Sequence, residues 1–262
     1  MEDSLAGGGI RFADKIIVVT GAADGLGRAL ARGFAAEGGT VIAADINITG
    51  AEETASMIRA AGGGAEAIPV DMGDESSIQA LAAAVRAQHE AVHVLINNAG
   101  IAYGHISDAM AGITQSEWLR YLSVNTVGPT LLADALRPAL AAARHAVVIN
   151  QSSMSSFAPV KAYGVTKAAL NAMTYGLAHA YGEDGIRVLA IAPGLMETPA
   201  NKTQLSPEVW ESVLGMQILK QEKGRPEDIV ALALFLASEA ARFITCDVIS
   251  CDGGNAIRGW RN

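Results

Sequence analysis

Early in the chain, an apolar strand pattern, a glycine-rich turn and a helix pattern follow one another directly. Residues 15–20 are mostly apolar, Gly21, Gly25 and Gly27 form a GxxxGxG turn, and an amphipathic stretch continues to Glu37. Glycines allow a tight turn and a close approach of the backbone, and a helix N-terminus offers free N–H groups. This order therefore predicts a cradle for a phosphate-bearing cofactor.

Strand and helix patterns alternate along the rest of the chain. Further strands are expected at 40–44, 66–70, 93–96, 147–149, 185–191 and 247–250, and helices at about 49–61, 74–85, 118–143, 162–181 and 226–237. Such alternation is typical of a parallel sheet with helices on both faces. The sequence predicts one doubly wound α/β domain at residues 13–262, preceded by a flexible leader at residues 1–12.

Composition argues against several functional classes. The 262 residues are 50% hydrophobic and 18% charged, which supports a large core, and the net charge of −8 argues against nucleic acid as a partner. No apolar run approaches the roughly 18 residues that span a bilayer. Cys246 and Cys251 are too few for a disulfide framework, and the histidines lack the spacing of metal ligands. We expect a soluble, reduced, cytoplasmic protein without a bound metal.

An acidic residue ends the second predicted strand. At this place Asp45 can accept both hydroxyls of an adenosine ribose and repel a 2′-phosphate. No basic residue occurs in Ile46-Asn47-Ile48 to offset that repulsion. The expected cofactor is therefore NAD and not NADP, with the alternative that Asp45 only caps a turn.

A hydroxyl, a phenol and an ammonium follow the fifth predicted strand. Tyr163 and Lys167 are four residues apart in a helix pattern, which places them on one helix face. A nearby cation favours the phenolate, so we expect the pKa of Tyr163 to move from about 10 toward neutrality. Tyr163 is thus a candidate acid and base, with Ser152 and Ser153 at the same sheet edge. The same spacing also occurs by chance on many helices.

A long apolar insertion lies at about 195–224, after the sixth predicted strand. Its position predicts a lid over the site, and a helical pair packed between subunits is the alternative. Apolar residues of the lid and of the loop after Ser153 predict an apolar or aromatic substrate. The candidate substrate-binding residues are Ser153, Met154, Phe157, Tyr163, Met196 and Trp210.

In combination, these motifs resemble the classical short-chain dehydrogenase/reductase family. Thr20-Gly-x-x-x-Gly-x-Gly27, Asn97-Asn-Ala-Gly100, Asn125, Ser153, Tyr163-x-x-x-Lys167 and Pro193-Gly194 occur in the family's order over residues 13–255. The resemblance implies a seven-stranded Rossmann sheet and hydride exchange between a secondary alcohol or ketone and a nicotinamide cofactor. It also implies a homotetramer.

The resemblance further implies a role for each matching residue. Tyr163 would be the acid and base, and Lys167 would lower its pKa and hold the nicotinamide ribose. Ser153 would bind the substrate oxygen, and Asn125 would hold a water of a proton relay. Beside Tyr163, Lys167, Asp45 and Ile46, the candidate cofactor-binding residues are Gly21, Asp24, Gly25, Leu26, Gly27, Asp71, Met72, Asn98, Ala99, Gly100, Pro193, Gly194 and Thr198.

The chain departs from the family pattern at two places. Ser153 precedes Tyr163 by ten residues where the family has about thirteen, so the loop is trimmed and Ser152 or Ser155 could take the serine's role. Cys246 stands where the family commonly has glycine, near the usual subunit contact.

Two other functions stay open at this point. One is a 3-oxoacyl thioester reductase, whose phosphate-bearing carrier could meet basic residues of the lid segment: Lys202, Lys220, Lys223 and Arg225. The other is a cofactor-sensing protein without catalysis, against which the intact tyrosine, lysine, serine and asparagine argue.

Overall fold

A parallel sheet of seven strands organises the molecule. The computed structural model describes residues 11–102, 104, 109–220 and 222–256. The strands are β1 (Ile16–Thr20), β2 (Thr40–Asp45), β3 (Ala65–Pro69), β4 (Val94–Asn97), β5 (Val147–Gln151), β6 (Arg187–Pro193) and β7 (Asp247–Cys251). Their order is β3-β2-β1-β4-β5-β6-β7, and all neighbours are parallel. The chain order reverses between β1 and β4, so a crevice for a ligand opens at their carboxyl ends.

Helices cover both faces of the sheet. They are α1 (Gly25–Ala36), α2 (Ile48–Ala60), α3 (Glu75–Gln88), α4 (Gln115–Leu122), α5 (Gly128–Ala142), α6 (Ala162–Tyr181), α7 (Pro199–Gln204), α8 (Pro207–Met216) and α9 (Pro226–Ala237). Ile149 of β5 packs in one apolar cluster with Phe34 of α1, while Val148 packs in a second cluster with Leu136 of α5. The side chains of successive strand residues thus pack against the helices on opposite faces of the sheet. The predicted doubly wound α/β fold is confirmed.

A π-helical turn divides the long helix predicted at 118–143. The turn spans Ser123–Val127, between α4 and α5, and its Asn125 is fully buried. The sequence predicted a break in this helix at Gly128-Pro129, but the break lies one turn earlier. Gly128 and Pro129 instead begin α5, where a proline is well tolerated. Such π-helical turns are frequent at functional sites.

The leader prediction was wrong for its last two residues. Phe12 is buried, and its ring centre lies 4.9 Å from that of Phe34. Arg11 pairs with Glu37 at 2.8 Å. Both contacts hold this segment against α1, so residues 11 and 12 belong to the domain, and residues 1–10 lie outside the described part.

Cys246 has a backbone conformation that explains the glycine common at this position in the resembled family. Its φ is +60°, in the left-handed region. A residue with a side chain costs roughly 1–2 kcal/mol more than glycine in this region. Cys246 therefore carries a local strain that a glycine would avoid.

The segment 195–224 contains the two short helices α7 and α8, which sequence patterns did not define. Its role as a lid stays a prediction. Over the described ranges, no helix combines the length and the apolar character needed to cross a bilayer.

Candidate active site

Two adjoining cavities lie along the carboxyl edge of the sheet. Their volumes are about 640 and 540 Å³, and both are lined by Asp24, Leu26, Asn98 and Gly100. The first cavity is also lined by Gly21, Gly27, Asp45, Ile46, Asp71, Met72 and Ala99, and the second by Gly25, Tyr163, Lys167, Pro193, Gly194 and Thr198. Every residue predicted to contact a cofactor therefore borders one of these cavities.

The glycine turn after β1 is closely packed. Gly21 has a φ of +67°, and a Cβ there would lie 2.8 Å from the Cα of Ala99. A Cβ on Gly27 would lie 1.9 Å from the carbonyl oxygen of Gly21. No larger residue fits at either place. The main chain of the glycine turn therefore lines the first cavity directly, next to the first turn of α1. This arrangement fits the pyrophosphate of a dinucleotide.

Thr20 and Asn98 fasten the glycine turn to the end of β4. The hydroxyl oxygen of Thr20 accepts hydrogen bonds from the N–H groups of Asn98 and Ala99, both at 3.1 Å. The side-chain amide of Asn98 donates to the carbonyl oxygens of Thr20 and Gly21 at 3.0 and 3.2 Å. The side chain of Asn98 thus supports the turn, a role that the sequence did not indicate.

Asp45 makes two hydrogen bonds to the main chain. Its Oδ2 accepts from the N–H of Ala23 at 2.9 Å, and its Oδ1 accepts from the N–H of Asn47 at 2.8 Å. The carboxylate therefore anchors the glycine turn, as the turn interpretation expects. Each carboxylate oxygen has further acceptor capacity, so Asp45 can also bind ribose hydroxyls.

Tyr163 and Lys167 lie at the start of α6 and line the same cavity. The Nζ of Lys167 lies 5.8 Å from the centre of the Tyr163 ring and donates a hydrogen bond to the carbonyl oxygen of Gln151 at 2.7 Å. Burial lowers the pKa of Lys167 to about 8. The ammonium form therefore still dominates at pH 7, and it holds its charge beside the phenol.

Asn125 is held at the π-turn by three hydrogen bonds of its side-chain amide. Its Oδ1 accepts from the N–H of Ile101 at 2.7 Å, and its Nδ2 donates to the carbonyl oxygen of Ile101 at 3.0 Å. Nδ2 also donates to the hydroxyl oxygen of Thr166 at 3.1 Å, and that hydroxyl donates to the carbonyl oxygen of Tyr163 at 2.8 Å. Asn125 is thus coupled to the helix turn that carries Tyr163.

The three candidate serines have different surroundings. The hydroxyl of Ser152 is buried and donates to Oδ1 of Asn171 at 2.6 Å. All three serines line the cavity of Tyr163, and the hydroxyl oxygen of Ser153 accepts from the N–H of Ser155 at 3.2 Å. The hydroxyl of Ser153 keeps its proton for a ligand, whereas that of Ser152 is already committed to Asn171. This geometry favours Ser153 over Ser152 for the predicted role.

Comparison with known proteins identifies the family. The family model described as enoyl-(acyl carrier protein) reductase matches residues 21–256. The chain belongs to the classical short-chain dehydrogenase/reductase family. It is an oxidoreductase with the seven-stranded Rossmann sheet of that family, so the predicted fold and family are both confirmed.

Relatives within the family differ in substrate and cofactor. Galactitol 2-dehydrogenase of Agrobacterium fabrum is 33% identical over 259 residues, which cover 94% of this chain and 99% of the relative. A 7α-hydroxysteroid dehydrogenase solved with NADH and 7-oxoglycochenodeoxycholic acid has a TM-score of 0.86 and 29% identity, covering 94% of this chain and 95% of that one. A Pseudomonas aeruginosa RhlG/NADP complex has a TM-score of 0.87 and 28% identity, covering 96% and 100%.

Sequence reasoning missed several polar residues of this short-chain dehydrogenase site, among them Thr166, Arg120 and Gln151. Thr166 lies between Tyr163 and Lys167 on α6, and its place within that motif could have indicated its contact with Asn125. Arg120 of α4 lines the cavity that contains Asp45, and Gln151 lines the cavity that contains Tyr163. No local pattern distinguishes these two from surface or strand residues.

Two of the candidate substrate-binding residues lie outside the cavity of Tyr163. Met154 and Met196 line it together with Ser153, but Phe157 and Trp210 do not. Phe157 is 41% exposed after a short 3₁₀ turn. On α8, Val209 and Val213 face the cavity, so Trp210 falls on another side of the helix, where Lys223 lies 5.8 Å from its ring centre.

The basic residues of the segment 195–224 do not line either cavity. Lys223 pairs with Glu197 at 3.5 Å, and Lys220 donates to the carbonyl oxygen of Gly215. Their position adds no support for a thioester carrier at the site. No group of three metal-ligating side chains occurs within the described ranges.

Proposed function

We propose that this chain is an NAD-dependent dehydrogenase or ketone reductase that interconverts a secondary alcohol and a ketone, with Tyr163 as acid and base. One observation carries the proposal. Ser153, Tyr163 and Lys167 line one cavity, and the glycine turn and Asp45 line the cavity that adjoins it. A cofactor bound along the turn would thus end beside a hydroxyl, a phenol and an ammonium.

Each polar residue of the second cavity would have a separate role in binding the substrate or transferring its proton. A bound nicotinamide would supply the hydride chemistry. The hydroxyl of Ser153 would donate a hydrogen bond to the substrate oxygen and fix it beside Tyr163. In alcohol oxidation Tyr163 would take the proton from that oxygen, and in ketone reduction it would return it. Lys167 would favour the phenolate by its charge, and Asn125 would support the helix turn that carries both residues.

NAD is the proposed cofactor because of the charge near the adenosine end. Three carboxylates, those of Asp24, Asp45 and Asp71, line the first cavity, and Arg120 is the cation described there. A 2′-phosphate would bring nearly two more negative charges close to Asp45. Arg28, near the glycine turn, is turned toward Glu53 and the carbonyl oxygen of Ala23, so it offers little to a phosphate.

The proposed substrate is apolar or aromatic. Apolar side chains form much of the second cavity around Ser153 and Tyr163: Met154, Ala158, Val160, Leu195, Met196, Leu205, Val209 and Val213. Ser155, Lys161 and Asn201 also line it, and the side-chain amide of Asn201 donates to the carbonyl oxygen of Met196. Such a lining provides few partners for the hydroxyls of a sugar or polyol, which would lose hydrogen bonds to water on binding.

A panel of secondary alcohols, followed by NADH absorbance, tests this substrate class. Aryl and cyclic alcohols are expected to give kcat/KM values at least about tenfold above those of galactitol and other polyols, because each unpaired hydroxyl costs roughly 1–3 kcal/mol. Efficient polyol oxidation with aryl and alkyl alcohols left unreacted would overturn the proposed substrate class.

We also propose a homotetramer. One set of exposed apolar residues, Leu119, Met173 and Tyr175, lies on α4 and α6. Another, Phe235 and Phe243, lies on α9 and in the segment that precedes β7. Two separate self-complementary faces generate a tetramer with closed symmetry. Light scattering at micromolar concentration should give four times the chain mass of 27.0 kDa, and the mass of one chain would exclude the assembly.

A further inference from the structure

Gln151 is a polar residue at the end of an otherwise apolar strand. It is the last residue of β5, after Val147, Val148 and Ile149. Ile149 belongs to the apolar cluster of α1, so the alternation of a strand places the side chain of Gln151 on the same face. The intervening Asn150 points to the other face, where its amide donates to Thr174 of α6 at 2.9 Å.

Gln151 lines the cavity of Tyr163 and carries a buried side-chain acceptor without a described donor. The residue is 6% exposed and lines that cavity. Its Oε1 is buried and accepts no hydrogen bond from any described residue. Its main-chain oxygen is separate, since it accepts from Lys167 at 2.7 Å. A buried acceptor without a donor is unfavourable, so this oxygen is suited to a ligand that brings an N–H or O–H group.

The position of Gln151 identifies which ligand would supply that group. Its side chain is on the α1 face of the sheet, which is also the face of the glycine turn, and Leu26 and Met196 line the same cavity. Ser153 and Tyr163 already provide the partners for a substrate oxygen. A ketone with an apolar body brings no donor. The carboxamide of a nicotinamide, by contrast, carries an NH2 group with two hydrogen-bond donors.

We infer that Gln151 Oε1 accepts a hydrogen bond from the carboxamide NH2 of the nicotinamide, and so sets the orientation of the ring in the cavity. This inference rests on the function proposed above. It adds Gln151 to the cofactor-binding residues, with its side chain as the group that contacts the nicotinamide.

The test compares three ligands on the wild-type protein and on Gln151→Met, which keeps an unbranched side chain of similar length but removes the amide. Dissociation constants are measured by titration calorimetry for NADH, for the reduced 3-acetylpyridine analogue and for ADP-ribose. The analogue has a methyl group in place of the NH2, and ADP-ribose lacks the nicotinamide. Gln115→Met, at an exposed position of α4, is the matched control.

Gln151→Met is expected to weaken NADH binding about tenfold and to change the affinities for the analogue and for ADP-ribose less than about twofold. Gln115→Met is expected to leave all three unchanged. Equal weakening of NADH and the analogue would overturn the inference, because the NH2 group would then be irrelevant. Unchanged NADH affinity, or equal weakening of ADP-ribose, would overturn it as well.

The experiments distinguish a failure of the Gln151 assignment from a failure of the proposed function. If the wild-type protein binds NADH with the predicted dependence on Gln151 but turns over no secondary alcohol or ketone, the proposed reaction fails and the assignment of Gln151 stands. If turnover occurs and the Gln151→Met pattern is absent, the reverse holds. Thermal unfolding of each variant verifies that it is folded before titration.

Discussion

Tyr163→Phe is expected to lower kcat by about a thousandfold while the dissociation constant of NADH stays within about twofold of wild type. In the proposed mechanism the phenol exchanges a proton with the substrate oxygen, and general acid and base catalysis typically contributes 10²–10⁴-fold. The proposed cofactor would instead rest on the glycine turn, which Thr20 and Asn98 hold in place. A loss of kcat with intact binding is the signature of an interaction made only in the transition state.

A second tyrosine on the same helix provides the matched control for this experiment. Tyr175 lies on α6 and is 43% exposed, outside both cavities. Tyr175→Phe removes the same hydroxyl from the same helix and should keep kcat within about twofold. If Tyr163→Phe retains more than a few per cent of wild-type kcat, Tyr163 is not the acid and base.

The second large effect concerns the choice of cofactor. Wild-type kcat/KM is expected to favour NAD over NADP by about a hundredfold or more. At roughly 4–5 Å and an effective dielectric constant near 20, repulsion between the carboxylate of Asp45 and a 2′-phosphate amounts to a few kcal/mol. Asp45→Ala should remove most of this preference by improving the use of NADP.

The hydrogen bonds of Asp45 require a second variant. Since Asp45 also accepts from the N–H groups of Ala23 and Asn47, alanine disturbs the glycine turn as well as the charge. Asp45→Asn keeps an acceptor oxygen and removes only the charge, so it should relax the preference with a smaller loss of kcat/KM for NAD. Comparable wild-type values for the two cofactors, or an unchanged preference in both variants, would show that Asp45 is only a turn residue.

Much of the cofactor crevice could be predicted because its residues are tied to strand ends. The apolar runs define where β1, β2 and β4 finish, and parallel strands bring those ends to one edge. Gly21, Asp45 and Asn98 follow such runs directly, so their neighbourhood could be deduced without coordinates.

Other features depend on side-chain direction, which sequence spacing did not determine. Trp210 and Val209 are adjacent in sequence, yet the rotation of α8 places only Val209 in the cavity. Gly128, directly after the π-turn, packs against another part of the chain, because a Cβ there would lie 2.1 Å from the carbonyl oxygen of Met72. Gln151 looks like any strand-end residue until its face of the sheet is known.

Transfer of deuterium tests the central claim most directly. The best aryl or cyclic secondary alcohol of the panel is labelled with deuterium at its carbinol carbon and incubated with the protein and NAD. The account predicts that the label moves from that carbon to the nicotinamide ring, so that each NADH formed carries one deuterium in its mass spectrum. Unlabelled NADH, with the deuterium recovered in water, would contradict hydride transfer between the alcohol carbon and the cofactor.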